Sequence, residues 1–233
     1  MNTAIITGAT QGIGAAIAMK LAQENFTLCI CSRNKSELES FKTTLENAGS
    51  PVVFIFQADL INKDEAVGFA RFALECLGSV SILVNNAGIF IPGELCEEPE
   101  GQLEQMMQLN VYAPYAITRI IAPSMKQNKK GHIFNLCSVA SLRAYPNGGS
   151  YSVSKYALLG FSDNLRQELM PHQIKVTSVC PGATYSRSWQ GSGVPEERLI
   201  PAADVASIVW TAYNLSSSTD LETIVVRPQF GDL

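Results

Sequence analysis

The stretch AIITGATQGIGAAIA, residues 4–18, decides how this chain folds. Its first four residues are apolar or β-branched, a pattern typical of a short buried strand. Gly8, Gly12 and Gly14 follow, and an apolar segment with helical spacing begins at Ile13. A glycine-rich turn between a strand and a helix lets the backbone approach an anion closely, and the start of the helix attracts negative charge. The stretch therefore predicts a βα unit that binds a dinucleotide through its pyrophosphate.

The alternation of strand and helix patterns continues along the chain. Short apolar runs that predict strands cover residues 4–7, 26–31, 52–57, 82–85, 132–137, 175–180 and 223–227. Helical patterns cover residues 13–24, 36–48, 63–77, 100–127, 151–170 and 203–215, and Ser36 with Glu39 predicts a capping box in the second of them. Buried strands that alternate with helices are typical of a parallel sheet covered on both faces. We therefore predict an α/β single-domain Rossmann fold over residues 1–233, with a doubly wound seven-stranded parallel sheet.

Composition limits the possible partners. The 233 residues are 46% hydrophobic and 16% charged, with a net charge of −4, so no basic surface for nucleic acid or an acidic membrane is indicated. The six cysteines form no metal-ligand spacing and read as buried thiols in a reducing compartment. The N-terminus enters a strand pattern without a basic, hydrophobic leader. We expect a cytoplasmic protein with no nucleic-acid partner, no membrane partner and no metal.

Five short motifs together carry a family resemblance. TGATQGIG, residues 7–14, resembles the cofactor turn of classical short-chain dehydrogenases/reductases. Four further motifs occur in that family's order, each after a predicted strand: Asp59–Leu60, NNAG at Asn85–Gly88, NLCS ending at Ser138, and Pro181–Gly182. Because the matches span almost the entire chain, the sequence is identified as similar to this family throughout.

The resemblance implies four catalytic residues: Asn110, Ser138, Tyr151 and Lys155. Tyr151 would donate a proton to a carbonyl oxygen that receives hydride. Lys155, four residues on, would share its helix face, and together with an oxidised nicotinamide would lower the phenol's pKa from about 10. Ser138 would hold the substrate oxygen, and Asn110 would bend a long helix and hold a proton-relay water. Alone, the Tyr151–Lys155 spacing could equally belong to an ordinary helix start.

The residues after the second strand bear on cofactor choice. Ser32 occupies the position where an acidic residue would select NAD. Arg33 follows, and it could bind a 2′-phosphate or be an ordinary surface charge. We therefore expect NADP(H), with NAD(H) use still possible. The cofactor contacts implied by the resemblance are Gly8, Thr10, Gln11, Gly12, Ile13, Gly14, Ser32, Arg33, Asn34, Asp59, Leu60, Asn85, Asn86, Ala87, Gly88, Tyr151, Lys155, Pro181, Gly182, Thr184 and Ser186.

The substrate end is defined by scattered apolar and aromatic residues. Candidate wall residues, which could equally pack in the core, are Phe90, Ala140, Leu142, Tyr145, Tyr185 and Trp189. Residues 184–200 are expected to form a mobile substrate loop. We predict an NADP(H)-dependent carbonyl reductase or alcohol dehydrogenase acting on a small-molecule ketone or secondary alcohol.

Other functions remain open from the sequence. The ending VVRPQFGDL resembles that of bacterial sepiapterin-reductase-like members, so a pteridine carbonyl is one alternative. A 3-oxoacyl thioester is another, and a non-catalytic NADP-sensing scaffold on the same fold is a third.

Two long helical patterns bear on assembly. Residues 100–127 and 151–170 resemble the helices that form a four-helix interface in many members of the family. The apolar stripe Ala157, Leu158, Phe161 and Leu165 fits such an interface, or packing within one chain. We expect a homodimer or homotetramer.

Overall fold

The computed structural model describes residues 2–189 and 193–232. The strands are β1 Thr3–Thr7, β2 Thr27–Ser32, β3 Val53–Gln57, β4 Ile82–Asn85, β5 Gly131–Leu136, β6 Ile174–Pro181 and β7 Thr223–Val226. The helices are α1 Gly12–Gln23, α2 Lys35–Asn47, α3 Lys63–Leu77, α4 Gln102–Met107, α5 Ala113–Asn128, α6 Gly149–Leu169 and α7 Ala202–Asn214.

All seven strands form one parallel sheet in the order β3-β2-β1-β4-β5-β6-β7. Strand order reverses between β1 and β4, and ligands of open α/β sheets bind at the carboxyl ends beside such a reversal. The prediction of a seven-stranded doubly wound Rossmann fold is confirmed.

The two faces of the sheet are covered by separate hydrophobic clusters. Ile6 of β1 packs with residues of α1, α2 and α7. The preceding residue, Ile5, points to the opposite face and packs with residues of α3, α5 and α6. Successive side chains of a strand point to opposite faces, so burial on both sides requires the continuous apolar runs seen in the sequence.

The predicted helix over residues 100–127 is two helices with a π-helical turn between them. The turn spans Gln108–Tyr112 and includes Asn110. A π turn holds one extra residue, so it rotates the side chains that follow relative to those before it. Pro114 lies in the first turn of α5, which continues directly from the π turn, and it has no amide to bond back to that turn.

The start of α2 differs from the prediction. Asn34, rather than Ser36, is the capping residue, because its Oδ1 accepts the amides of Ser36 at 3.1 Å and Glu37 at 3.3 Å. The capping box of Ser36 and Glu39 was therefore wrong.

Within the described ranges, no helix combines the length and apolar character needed to cross a bilayer.

Candidate active site

The glycine turn after β1 is held in place by the segment after β4. Thr7 Oγ1 accepts the backbone amides of Asn86 at 2.9 Å and Ala87 at 3.0 Å. The Asn86 side chain donates in return to the carbonyls of Thr7 at 2.9 Å and Gly8 at 3.0 Å. A Cβ on Gly14 would lie 2.4 Å from Asn86 Nδ2, so the packing excludes any larger residue there. Asn86, a predicted cofactor contact, thus has its amide committed to shaping the turn.

The turn leaves the N-terminus of α1 open. Gly8 and Gly12 have φ angles of +61° and +54°, which glycine adopts without strain. Gln11 precedes the helix without a capping hydrogen bond from its side chain, and the first turn of α1 has no acidic residue. Helix amides without a capping partner bind anions. The residues present therefore fit a pyrophosphate.

The ends of β2 and β3 border the adenosine side of the turn. Arg33 is exposed, and its guanidinium pairs with no carboxylate in the described ranges. Ser32 Oγ accepts the Asn34 amide at 3.3 Å. Asp59 Oδ1 accepts the amide of Ile61, and Leu60 is buried. Asn34 and Asp59, both predicted cofactor contacts, therefore have carbonyl or carboxylate oxygens engaged in local turns.

Asn85 and Asn86 occupy different environments. Asn85 is buried in β4, where its Nδ2 donates to Asn135 Oδ1 at 2.8 Å and Thr118 Oγ1 at 3.1 Å. It belongs to the interior of the sheet and cannot pass close to a ribose as predicted. Gly88, three residues on, is exposed, and a Cβ there would lie 3.5 Å from Lys155 Nζ.

The segment after β6 covers the glycine turn. A Cβ on Gly12 would lie 3.2 Å from Ser186 Cβ, and Thr184 Oγ1 donates to the carbonyl of Gly182 at 3.0 Å. Thr184 also forms a short parallel bridge with Ile200, which ties the two ends of the predicted substrate loop. Residues 190–192 of that loop lie outside the described residues.

Arg187 links this segment to α2. Its Nη1 lies 2.8 Å from Glu37 Oε1, and Gln11 Nε2 donates to the other carboxylate oxygen at 3.3 Å. The hydrogen bond from Arg187, followed by that from Gln11, lowers the pKa of Glu37. This ion pair was not predictable from the sequence, since the two charged residues are 150 positions apart and belong to no motif.

Asn110 joins the π turn to α6. It is buried, and its Oδ1 accepts the amide of Ile89 at 2.8 Å, while its Nδ2 donates to the carbonyl of Ile89 at 3.0 Å and to Ser154 Oγ at 2.9 Å. Ser154 Oγ in turn donates to the carbonyl of Tyr151 at 2.7 Å. Asn110 is thereby connected through one hydroxyl to the backbone of Tyr151.

Ser138, Tyr151 and Lys155 lie together at the carboxyl end of β5. Ser138 Oγ accepts the amide of Ala140 at 3.1 Å, and its hydroxyl lies near enough to Tyr151 to lower the pKa of that phenol. Lys155 Nζ lies 5.6 Å from the centre of the Tyr151 ring and donates to the carbonyl of Leu136 at 2.8 Å. The helical spacing of four residues places both side chains on the face of α6 that meets the sheet.

The pKa values of this group follow from burial. Burial raises the pKa of Tyr151, and the hydrogen bond with Ser138 opposes that rise. Burial also lowers the pKa of Lys155. We expected Lys155 to lower the pKa of Tyr151. Among the contributions of the protein itself, desolvation of the phenol is the largest, and it raises that pKa. Tyr151 is therefore a protonated phenol at neutral pH, suited to donate a proton.

The predicted substrate walls divide into two groups. The ring of Phe90 packs edge-on against Tyr151 with 4.9 Å between centroids, and Leu142 and Tyr145 are partly exposed. Burial, with the nearby Tyr151 phenol, raises the pKa of Tyr145 to about 12. Ala140 is fully buried and therefore cannot form a wall, contrary to prediction.

Tyr185 and Trp189 belong to the segment that covers the glycine turn, where both are partly buried. The Trp189 amide donates to the carbonyl of Ser186, so this part of the segment is a tight turn.

Residues 2–195 match the family model described as short chain dehydrogenase. The chain belongs to the short-chain dehydrogenase family. The match covers the glycine turn and the Ser138, Tyr151 and Lys155 cluster alike.

Three similar proteins illustrate the range of this short-chain dehydrogenase's relatives. The ketoacyl reductase HetN of a Nostoc species is 32% identical over 181 residues, which are 78% of this chain and 63% of the relative. A metagenomic short-chain oxidoreductase in complex with NADP has a TM-score of 0.85 at 29% identity, covering 98% of this chain and 97% of that one. An alcohol dehydrogenase from Thermococcus sibiricus, complexed with 5-hydroxy-NADP, has a TM-score of 0.89 at 26% identity, covering 100% and 99%.

For some of the relatives the match is partial in length. This short-chain dehydrogenase spans 56–63% of HetN and of the mouse and bovine dehydrogenase/reductase SDR family member 7B.

Proposed function

We propose that this short-chain dehydrogenase is an NADP(H)-dependent carbonyl reductase and alcohol dehydrogenase, with Tyr151 as the proton donor and acceptor. The observation that carries the proposal is the meeting of Ser138, Tyr151 and Lys155 beside an anion-binding helix start. A bound nicotinamide would supply or accept the hydride. The chain supplies the proton, its position and the binding of the substrate oxygen.

The roles of the side chains follow from their contacts. The Ser138 and Tyr151 hydroxyls lie near each other, so a carbonyl oxygen placed against both would receive two donors. Tyr151 gives its proton to that oxygen as negative charge develops there. Lys155 lies at the other side of the phenol ring, where its charge stabilises the phenolate left behind. Asn110 holds the backbone of the same helical turn through Ser154.

The preference for NADP(H) is supported by charge. Ser32 leaves the end of β2 without a carboxylate that would repel a 2′-phosphate, and the exposed Arg33 has no competing ion pair among the described residues. The two similar solved structures contain NADP or a derivative of it.

The substrate class proposed is a small apolar or aromatic ketone. Phe90 and Tyr145, both beside Tyr151, would form its walls. The name of HetN supports a 3-oxoacyl thioester as the second candidate.

Assembly and location complete the proposal. Tyr112, Tyr115, Val153 and Tyr156 are exposed on the π turn, α5 and α6, and would be covered in a homodimer or homotetramer. Of the predicted stripe, Leu158 and Leu165 are buried within the chain and are not available to a partner. All six cysteines, each in the described ranges, are free thiols, which supports a cytoplasmic location.

A carbonyl panel run with NADPH and NADH in parallel tests the proposal. The panel holds aromatic ketones, diketones, a 3-oxoacyl thioester and a pteridine ketone, and loss of absorbance at 340 nm is the signal. We expect turnover of a ketone with NADPH and at least tenfold less efficient turnover with NADH, the size of one charged hydrogen bond. NADPH binding without turnover of any compound would favour a cofactor-sensing role instead.

A further inference from the structure

The catalytic helix receives a carboxylate from a distant part of the chain. Glu98 lies between β4 and α4, 52 residues before Ser150. Its Oε1 accepts the backbone amide of Ser150 at 2.8 Å, and its other oxygen accepts the Ser150 hydroxyl. Ser150 is buried and immediately precedes Tyr151.

Two glycines make room for this contact. A Cβ on Gly149 would lie 1.9 Å from Glu98 Oε1, and a Cβ on Gly93 would lie 2.6 Å from Glu98 Cγ. Gly149 also has a φ angle of +29°, which disfavours other residues. The amide of Gly93 donates to the carbonyl of Asn147 at 3.1 Å. The Glu98 side chain therefore occupies a space bounded by two backbone segments.

The helix has no capping side chain of its own. Gly148 precedes α6, and a glycine offers no side-chain acceptor to the first amides. A carboxylate at this end satisfies an amide and interacts favourably with the helix dipole. The next turn is held separately, because Asn110 reaches the Tyr151 carbonyl through Ser154.

We propose that Glu98 is a positioning residue, which fixes the first turn of α6 and so holds the Tyr151 phenol against Ser138. The inference rests on the proposed function for its effect on turnover. Its effect on the helix does not depend on that function. Glu98 lies between β4 and α4, and the proposed mechanism gives it no contact with substrate or cofactor.

The test compares Glu98→Ala and Glu98→Gln with Glu97→Ala, a neighbouring exposed carboxylate. Loss of a cap loosens a helix end and misplaces the phenol, so we expect kcat of Glu98→Ala to fall about tenfold or more. NADPH Kd, measured by fluorescence, should change by less than about twofold, because the glycine turn is untouched. In Glu98→Gln the amide oxygen can still accept the Ser150 amide while the amide nitrogen donates to the Ser150 hydroxyl, so kcat should return to within about threefold of the wild type. Glu97→Ala should resemble the wild type.

Hydrogen exchange supplies a readout that does not need turnover. Amides in a peptide covering residues 149–155 should exchange faster in Glu98→Ala than in Glu98→Gln, while peptides from α1 stay unchanged. Ser150→Ala, which keeps the backbone contact, should give an intermediate effect on exchange and kcat.

Two results would overturn the proposal. One is unchanged exchange in residues 149–155 of Glu98→Ala, whatever the activity. The other is a loss of kcat in Glu98→Ala that is accompanied by an equal loss of NADPH affinity and is not rescued by glutamine. If the wild type binds NADPH but reduces no carbonyl, the proposed function fails, and the exchange experiment still decides the role of Glu98.

Discussion

Helices α1 and α6 both begin at the ligand-binding edge of the sheet, and their N-termini differ in charge and capping. At α1, Gln11 provides no capping hydrogen bond and the first turn holds no acid. At α6, the carboxylate of Glu98 already binds the Ser150 amide. A helix start attracts negative charge, so the open one can bind a phosphate, whereas the occupied one is fixed in place. In the proposed function, cofactor binding is thus assigned to the start of α1 and proton transfer to the start of α6.

Among the variants that probe the difference between the two helices, replacement of Lys155 in α6 should give the largest effect on turnover. Lys155→Met removes a buried charge next to the phenol and its 2.8 Å bond to the carbonyl of Leu136. We expect kcat to fall by about 10² or more, the range of a general-acid contribution. Steady-state kinetics would measure this, with Lys126→Met on the surface as the matched control. Retention of more than half the activity would contradict the role of Lys155.

Replacing Arg33 should affect the binding of NADPH and NADH differently. Arg33→Ala should weaken NADPH about tenfold and leave NADH within about twofold, because only the 2′-phosphate loses a charged hydrogen bond. Fluorescence titration with both cofactors measures this. An equal loss for both would make Arg33 a general contact rather than a phosphate ligand.

Giving α1 a carboxylate should make its N-terminus resemble that of α6. Gln11→Glu places a negative charge beside the pyrophosphate site, and we expect NADPH Kd to rise about tenfold or less. Gln11→Ala is the control for loss of the hydrogen bond to Glu37, and should change Kd by less than about twofold. Equal effects of the two variants would remove charge as the cause.

The effect of Ser138 on the pKa of Tyr151 gives a prediction about pH. Burial raises the pKa of Tyr151 and Ser138 opposes the rise, so Ser138→Ala should raise that pKa further. Alcohol oxidation needs the ionised phenol. The pH at which the rate of oxidation rises should therefore be higher in the variant. Ketone reduction needs the protonated phenol and should stay independent of pH through neutrality. A shift of the oxidation limb to lower pH would show that Ser138 acts in another way.

Breaking the ion pair between Arg187 and Glu37 should give the smallest effect on cofactor binding. Glu37→Gln breaks the exposed ion pair with Arg187 and removes a negative charge near the phosphates. We expect NADPH affinity to increase by about twofold, since exposed ion pairs contribute little. Titration at low and high salt measures it. Weaker binding in Glu37→Gln would indicate that the bridge supports the cofactor site.

Regions where local sequence determines structure were predictable. The seven strands lie within one residue of their predicted limits, and the five inner strands are buried on both faces, which requires continuous apolar runs. The glycine turn was equally clear, since positive φ angles and close packing select glycine.

Contacts between distant segments were not predictable. The π turn at Asn110 inserts one residue into a helical pattern, and a shift of one residue is too small for apolar periodicity to divide the helix. Nothing local in the sequence connects Glu98 to Ser150, or Arg187 to Glu37. The burial of Ala140 depends on the packing around a short turn, which a single-residue pattern does not encode.

The most direct test of the central claim is single-turnover oxidation of NADPH by the wild type and Tyr151→Phe, with a ketone found by the panel. Phenylalanine keeps the ring contact with Phe90 and removes only the hydroxyl. We predict a rate constant at least about 10³ lower in the variant, with NADPH Kd within about twofold. A variant that oxidises NADPH as fast as the wild type would contradict Tyr151 as the proton donor.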